Sequence, residues 1–158
     1  MPPESRSTVP ECNCLAVRQA ARRVTQFYDQ FLAPAGLRTT QFSILGRLRR
    51  KGPMTINALA ADLVMDRTTL GRNILPLERD GLIRIEPGVS DRRSKEIRVT
   101  KAGEKRLAIA AKRWAEAQAQ FESAFGNARA AELRALLRAV VAIDLNREGA
   151  GVSVSSDA

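Results

Sequence analysis

Apolar residues recur at helical spacing along most of the chain, with one short region of strict alternation. Between residues 15 and 33 they fall at positions 17, 20, 24, 27 and 31, which predicts a helix with a single apolar seam. Pro34 and Gly36 end that helix. A second helix is predicted over residues 39–50 and stops before Pro53.

The pattern then predicts two short helices joined by a turn. Thr55 is suited to cap the first of them, and Asp66 is a good N-cap for the second, over residues 67–80, with Gly81 as its stop. Pro76 lacks an N–H and is expected to bend the second helix. Two helices joined in this way form a helix-turn-helix. The residues that should hold the second helix against a core are Leu70, Ile74 and Leu77.

Alternation appears at residues 82–86 and 96–99, which predicts a β-hairpin with the charged loop PGVSDRRSK between its strands. A hairpin directly after a helix-turn-helix makes a winged helix. Thr100 then opens a long helix with heptad spacing as far as Gly126, and a last helix is predicted over residues 130–145.

The predicted fold is mainly α with a small β-hairpin wing: a winged helix-turn-helix flanked by N- and C-terminal dimerisation helices. The outer helices carry apolar seams that the winged unit cannot fully cover, so we expect a homodimer with a two-fold contact. A monomer in which these helices form an ordinary bundle is the alternative. The expected division is a disordered tail (1–11), the N-terminal dimerisation helix (12–38), the winged domain (39–99), C-terminal dimerisation helices (100–146) and a second disordered tail (147–158).

The charge balance indicates a polyanionic partner. The chain has 26 Lys and Arg against 17 Asp and Glu, a formal net charge of +9. Such a protein is attracted to nucleic acid or to an anionic membrane surface, although a solvated basic surface is also compatible. An RNA-binding winged helix would need exposed aromatic residues for base stacking, and a membrane-surface protein would need a basic amphipathic helix.

The residue types present argue against an enzyme. The chain has no histidine, which excludes Ser-His-Asp and Cys-His nucleophile systems and most zinc sites. It also lacks the usual phosphate-binding, dinucleotide-binding and nucleophile-elbow motifs. We therefore expect no catalytic residue, cofactor or metal. With no run of 18 apolar residues and no signal-like N-terminus, we expect a cytoplasmic protein without a membrane partner.

The second helix of the helix-turn-helix has the residues that reading a major groove requires. Arg67, Thr68, Thr69, Arg72 and Asn73 lie at its N-terminal end or on its polar side. Arginine is able to bond guanine with two donors, asparagine pairs with adenine, and threonine contacts a phosphate or a thymine methyl. A merely solvated helix face is the alternative for these residues.

The hairpin would lie over the adjacent minor groove, where arginine suits the narrow, negative site. Asp91 would be repelled by DNA on its own. It is therefore expected to act within the loop, either by pairing with Arg93 or by accepting backbone N–H groups. A flexible loop with unpaired charges is the alternative.

The stretch DRTTLGRNILPLERDGLIRIEPGVSDRRSKEIRVTKAGE resembles the multiple antibiotic resistance regulator (MarR) family. The matching parts are LERDGLI, the DRR of the wing and the VTKAGE that opens the long helix, within a resemblance over residues 15–145. It implies a dimeric winged-helix transcription regulator, here taken as a repressor, that binds a palindromic operator on double-stranded DNA and is released by a small ligand or an oxidant. By this resemblance Arg93 enters the minor groove, Asp91 orients it, and Arg92 meets a phosphate. The candidate DNA-contacting residues are Thr55, Arg67, Thr68, Thr69, Arg72, Asn73, Asp91, Arg92, Arg93 and Lys95.

Cys12 and Cys14 are the only cysteines, at the start of the first helix. A zinc site would have to be shared between two chains, and a Cys12–Cys14 disulfide would be strained. The segment from Cys14 to Tyr28 resembles the organic-hydroperoxide branch of the same family, in which a cysteine here is oxidised and tyrosines bond it. Arg18 departs from that pattern, since a tyrosine is expected there. Inert thiols and a redox sensor both remain open.

If a small molecule is the effector, its pocket would lie between the first two helices and the winged unit. Aromatic residues at helical spacing are usually core, so this prediction is of the region rather than of any one side chain. The candidate lining residues are Arg18, Phe27, Phe31, Phe42 and Trp114.

Overall fold

A computed structural model describes residues 11–145, and the predicted tails, apart from residue 11, lie outside this range. The elements confirm a mainly helical winged fold. They are α1 (Asn13–Leu32), a 3₁₀ turn (Ala33–Ala35), α2 (Thr39–Lys51), β1 (Met54–Thr55), α3 (Ile56–Asp62), α4 (Arg67–Arg79), β2 (Ile83–Pro87), β3 (Lys95–Val99), α5 (Lys101–Phe125) and α6 (Asn127–Ala142).

The wing is part of a three-stranded antiparallel sheet in the order β1-β3-β2. The prediction of a two-stranded hairpin was therefore incomplete. The missing strand, β1, has only two residues, which pair Met54 with Ile97 and Thr55 with Glu96. A strand this short has no period that a sequence pattern could reveal. Its pairing anchors the base of the wing to the start of α3.

The core is not confined to the predicted winged domain, residues 39–99. The end of α1 contributes Leu32, which is fully buried, and α5 contributes Leu107 and Ala110. These helices therefore stabilise the winged unit directly, in addition to any role between chains. The central buried side chains are Leu32, Ile44, Leu45, Leu59, Leu70, Leu77, Ile83 and Ile97.

The first turn of α5 is fixed against the base of the wing. The Thr100 hydroxyl donates to the Gly81 carbonyl at 2.6 Å and accepts the Gly103 N–H at 3.0 Å, so it caps the helix. A Cβ on Gly103 would lie 2.1 Å from the Leu82 carbonyl oxygen and 2.7 Å from Val99 Cγ1. The threonine and glycine of the VTKAG motif thus allow the helix and hairpin to meet closely.

The turn of the helix-turn-helix contains a strained residue. The Met65 N–H donates to the Ala60 carbonyl at 2.8 Å and the Val64 N–H to the Ala61 carbonyl at 3.2 Å, which is a Schellman motif. Val64 has φ of 53°, in the left-handed region that usually requires glycine, and its side chain is 71% exposed. A β-branched residue in this conformation is destabilising.

Val64→Gly is therefore expected to stabilise the protein by about 1 kcal/mol, because it removes backbone strain and loses little packing. Urea unfolding measures the change. The matched control is Val89→Gly, at an exposed valine outside the positive-φ residues, where glycine should be neutral or destabilising. Equal effects at the two positions would show that strain at Val64 is not the cause.

A carboxylate links the two helices that precede the recognition helix. Asp62, on α3, is bonded by the Lys51 ammonium and lies 3.3 Å from Arg47 Nε, and both partners are on α2. The Lys51 hydrogen bond is the main cause that lowers the pKa of Asp62 below its ordinary value. Burial acts in the opposite direction, and the nearby positive charges lower the pKa further.

A lowered pKa in the folded state means that this link contributes stability at neutral pH and loses it as the pH falls below about 4. Asp62→Asn should cost about 1 kcal/mol or less at pH 7, since Lys51 is half-exposed, and almost nothing near pH 2. Urea unfolding at the two pH values tests this, with the exposed Asp80→Asn as control. If Asp62→Asn lowers the free energy of unfolding as much at pH 2 as at pH 7, the loss of stability is not electrostatic.

The chain divides into two compact units between Gln118 and Ala119. In the second unit, Arg134 Nη1 lies 2.8 Å from Glu122 Oε1, and the Arg129 guanidinium lies 4.4 Å from the centre of the Phe125 ring. Several large apolar side chains of this unit are exposed: Leu136, Leu137, Val140, Val141, Ile143 and Leu145. Within residues 11–145, no helix is both long and apolar enough to span a bilayer.

Candidate nucleic-acid interface

The N-terminus of α4, the predicted recognition helix, is fixed by Asp66. One carboxylate oxygen of Asp66 accepts the Thr69 N–H at 2.8 Å, and the other accepts the Thr69 hydroxyl at 2.6 Å. The bond from the Thr69 hydroxyl is the main cause that lowers the pKa of Asp66 below its ordinary value, and the bond from the Thr69 backbone N–H lowers it further. Leu70, Ile74 and Leu77 are buried as predicted. The back of the helix is therefore held by the core, and its polar side faces solvent.

The five predicted major-groove residues fall into two groups. The side chains of Arg67, Thr68 and Arg72 are exposed and form no hydrogen bond or ion pair within residues 11–145. The other two are engaged: the Asn73 amide donates to the Thr69 carbonyl at 2.8 Å, and the Thr69 hydroxyl bonds Asp66. Asn73 would have to break its bond to reach a base, so the two arginines and Thr68 are the groups ready to bind.

Leu75 is a further candidate that the sequence pattern did not single out. Its side chain is 63% exposed, on the side of α4 that also carries Thr68 and Arg72, at a spacing of one and two helical turns. An apolar side chain at this place is able to contact a thymine methyl in the major groove. The sequence does contain a signal for this residue, because Leu75 is apolar but falls outside the buried seam of Leu70, Ile74 and Leu77.

The recognition helix α4 continues through Pro76, which has no N–H to donate to the Arg72 carbonyl.

Asp91 organises the wing tip through the backbone. Its carboxylate accepts the Arg93 backbone N–H at 2.9 Å, which is one of the two alternatives that the sequence left open. Its carbonyl accepts the Ser94 hydroxyl at 2.7 Å and the Ser94 N–H at 3.1 Å. Gly88 closes the loop by donating its N–H to the Ser94 carbonyl at 2.8 Å. The tip is therefore a hydrogen-bonded turn.

The three predicted cations of the wing lie on or beside this turn. Arg92, Arg93 and Lys95 are all exposed, and none forms an ion pair in the described part of the chain. Their charges are available to an anionic partner. Thr55, the remaining predicted contact, accepts the Ala58 N–H at 3.2 Å and so caps α3 as expected.

The structure brings two pairs of the five predicted pocket residues into contact. Phe42 and Trp114 stack with ring centres 6.1 Å apart, beside a cleft of about 550 Å³ that Arg47 and Arg50 also line. The rings of Phe27 and Phe31 contact each other along α1, with centres 5.2 Å apart. Arg18 is exposed nearer the start of the same helix.

The two cysteines lie at the exposed N-terminus of α1. Cys12 is the N-cap, and its Sγ accepts the Leu15 N–H at 3.4 Å. Cys14 and Tyr28 share one helix and are about 21 Å apart along its axis. Tyr28 instead donates its hydroxyl to Gln118 Oε1 at 2.5 Å. Tyr28 is therefore too far from Cys14 to bond it within one chain, and a bond between the two would have to join different chains.

Comparison with known proteins bears directly on this site. The MarR family model matches residues 37–95, the segment from the start of α2 into β3 that carries both α4 and the wing tip. The M. tuberculosis transcriptional regulator MosR, solved in complex with DNA, is 37% identical over 84% of this chain and 98% of MosR, with a TM-score of 0.71. The chain belongs to the MarR family.

Two further proteins that resemble this chain agree with the MarR assignment. The transcriptional repressor CouR, solved bound to a 23-mer DNA duplex, is 26% identical, covers 82% of this chain and 92% of CouR, and has a TM-score of 0.75. The uncharacterized HTH-type transcriptional regulator YwoH of Bacillus subtilis is 34% identical over 57% of this chain. The chain spans 65% of the length of YwoH. These MarR-like relatives are transcription regulators.

Proposed function

We propose that this protein is a cytoplasmic, sequence-specific transcription repressor that binds a palindromic operator as a homodimer and is released by a small ligand. The observation that carries the proposal is the presence of two exposed cationic features on one compact unit. These are the polar side of α4, with Arg67 and Arg72, and the bonded wing tip, with Arg93. MosR and CouR, which were solved with DNA, support this role for the same fold.

The exposed apolar side chains support a dimer. In the first unit, Leu15 and Val17 of α1 are about half exposed, and in the second unit α6 exposes a row that includes Leu136 and Val140. Such patches are typical of an interface between copies. We therefore assign residues 12–38 and 100–146 to dimerisation. Two recognition helices related by a two-fold axis would then bind two half-sites.

The cleft beside Phe42 and Trp114 is the best candidate for the effector. Trp114 is 39% exposed, so one part of the stacked pair is accessible from solvent. The cleft is bounded by α2, which packs against α4 in the core. A ligand that changed the position of α2 would therefore act on the recognition helix. The repressor role follows the description of CouR.

A gel-shift assay with genomic fragments at physiological salt tests the proposal. A few fragments should be retarded in the presence of excess random DNA, and the affinity should fall steeply as salt rises, because many contacts go to phosphates. If no fragment is preferred over random DNA, sequence-specific regulation is refuted.

An alternative is release by oxidation of Cys14, which is favoured by the exposure of both thiols at the start of α1. A hydroperoxide would oxidise the thiolate to a sulfenic acid and would itself be reduced to an alcohol. Because Cys12 caps the helix, a modification of Cys12 itself would perturb the first turn of α1.

Peroxide treatment of the Cys14→Ser variant separates the two mechanisms. If Cys14 is the sensor, peroxide should release the wild-type protein from DNA, thiol reductant should restore binding, and Cys14→Ser should stay bound. Cys12→Ser is the matched control at the neighbouring exposed thiol. Release of the Cys14→Ser variant to the same extent as the wild type would exclude Cys14.

A further inference from the structure

Four charged side chains form a row across one face of the wing hairpin. Arg84 and Glu86 are two residues apart on β2, and Glu96 and Arg98 are two residues apart on β3, so all four project from the same face. The register places Glu86 opposite Glu96 and Arg84 opposite Arg98. The other face of the hairpin packs on the core through Ile83, Ile85, Ile97 and Val99.

Both directly opposed pairs carry like charges, an arrangement that destabilises a hairpin unless it is compensated. Arg98 provides the compensation. Its Nε lies 3.3 Å from one oxygen of Glu86, and its Nη2 lies 3.2 Å from Glu96. Arg84 Nε lies 2.8 Å from the other oxygen of Glu86. One guanidinium thus bridges the two carboxylates that would repel each other.

Arg98 is the more shielded of the two arginines. Its side chain is 28% exposed, against 62% for Arg84. Its contacts with the carboxylates are therefore less weakened by water and salt. The planar guanidinium also suits this task, since it presents donors in a fixed fork to two acceptors.

The row has no net charge, and this matters for a wing that approaches DNA. Without Arg98, Glu96 would have no partner and Glu86 would keep only Arg84, so the row would carry a net negative charge that opposes binding to phosphates. With the bridge in place, the free cations of the wing are those at and beside the tip, namely Arg92, Arg93 and Lys95.

We infer that Arg98 is a positioning residue of the wing, which neutralises Glu86 and Glu96 and holds the two strands in the register that aims Arg93 at the groove. This inference rests on the proposed DNA-binding function. It assigns Arg98 no contact with DNA, although a basic residue on a DNA-binding hairpin would ordinarily be taken for a phosphate contact.

The test is a set of anisotropy titrations on a duplex that the wild-type protein selects from a random-sequence pool. Arg98→Gln should bind about ten-fold more weakly, because Glu96 loses its partner, Glu86 keeps only Arg84, and the row gains a net negative charge. The double variant Glu96→Gln, Arg98→Gln should return to within about two-fold of the wild type, since it keeps the Arg84–Glu86 pair and restores the row to zero net charge. A double variant as weak as Arg98→Gln would show that Arg98 binds a phosphate itself and would overturn the inference.

A double-mutant cycle with Arg93→Ala gives a second measurement that does not depend on hairpin stability alone. If Arg98 acts by aiming Arg93, then Arg93→Ala should cost much less in the Arg98→Gln background than in the wild type. Losses that simply multiply would contradict the positioning role. Arg84→Gln is the control, an exposed arginine in the same row with one carboxylate partner, and its effect should be smaller than that of Arg98→Gln.

Circular dichroism at the assay temperature should show that every variant is folded, because the row lies on the solvent side of the sheet. If the wild-type protein selects no duplex, the proposed function falls and the inference falls with it. If the wild type selects a duplex but Arg98→Gln binds it equally well, only the role of Arg98 is refuted.

Discussion

Arg93→Ala is expected to weaken operator binding by about ten-fold or more while leaving the fold and the dimer unchanged. The side chain is exposed at the wing tip, whereas its backbone N–H is the group that bonds Asp91. The substitution therefore removes the guanidinium and keeps the turn. In a narrow minor groove that guanidinium would lie in a strongly negative potential, which explains the size of the expected loss. Titration of the selected duplex measures the affinity, and thermal unfolding measures the stability.

The neighbouring Arg92→Ala is the matched control, since both residues are exposed arginines of the same loop. A phosphate contact at Arg92 predicts a smaller loss that is uniform across sequences and a salt slope reduced by about 0.9. If Arg92→Ala proves the more damaging change, the assignment of Arg93 to the groove is wrong. If Arg93→Ala lowers the melting temperature as much as the affinity, the tip has a structural role instead.

Gly103→Ala is expected to have the largest effect on stability, a loss of about 3 kcal/mol, at the upper end of what an overpacked site costs. The added methyl would lie 2.1 Å from the Leu82 carbonyl oxygen, which is backbone and cannot rotate away. The first turn of α5 would have to move, and the Thr100 bonds that join it to the base of the wing would lengthen. Urea unfolding measures the loss.

Gly46→Ala, within α2, is the matched control for Gly103→Ala. A Cβ at Gly46 meets nothing within 4 Å, so alanine should stabilise the helix by about 1 kcal/mol. If Gly46→Ala stabilises the protein and Gly103→Ala destabilises it, steric contact at Gly103 outweighs the gain in helix propensity. A stabilising Gly103→Ala would mean that α5 and the hairpin do not meet as closely as the structure shows.

Local signals predicted the helices and most of their caps. Thr55, Asp66 and Thr100 accept N–H groups from residues three positions further along the chain. A cap depends on neighbours in sequence, so composition and spacing reveal it. The fold class followed because the periodic segments are long and occur in an order that few architectures share.

The features that escaped prediction depend on distant or incidental contacts. β1 exists because Met54 and Thr55 meet β3 some 40 residues later, and two residues carry no period. The bridge from Arg98 to Glu86 and Glu96 requires the strand register, which the loop length alone did not fix.

The sequence predicted which residues form the candidate site, but it did not predict the contacts between them. The sequence placed Arg72 and Asn73 together on the recognition helix. It did not show that Asn73 bonds the Thr69 carbonyl while Arg72 remains available. Similarly, Phe42 and Trp114 were predicted to share a pocket with α1 aromatics, and their ring contact with each other depends on how α2 and α5 pack. Rotamers and helix packing decide such points, and neither is encoded locally.

Hydroxyl-radical footprinting of the wild-type protein on its selected duplex would show directly whether a symmetric dimer binds a specific DNA site. We expect two protected half-sites related by two-fold symmetry, with centres about one helical turn, or 10–10.5 base pairs, apart. Protection should extend into the minor groove beside each half-site, where the wing tip is expected. A footprint that is uniform along the duplex, or a single protected site without symmetry, would contradict sequence-specific binding by a homodimer.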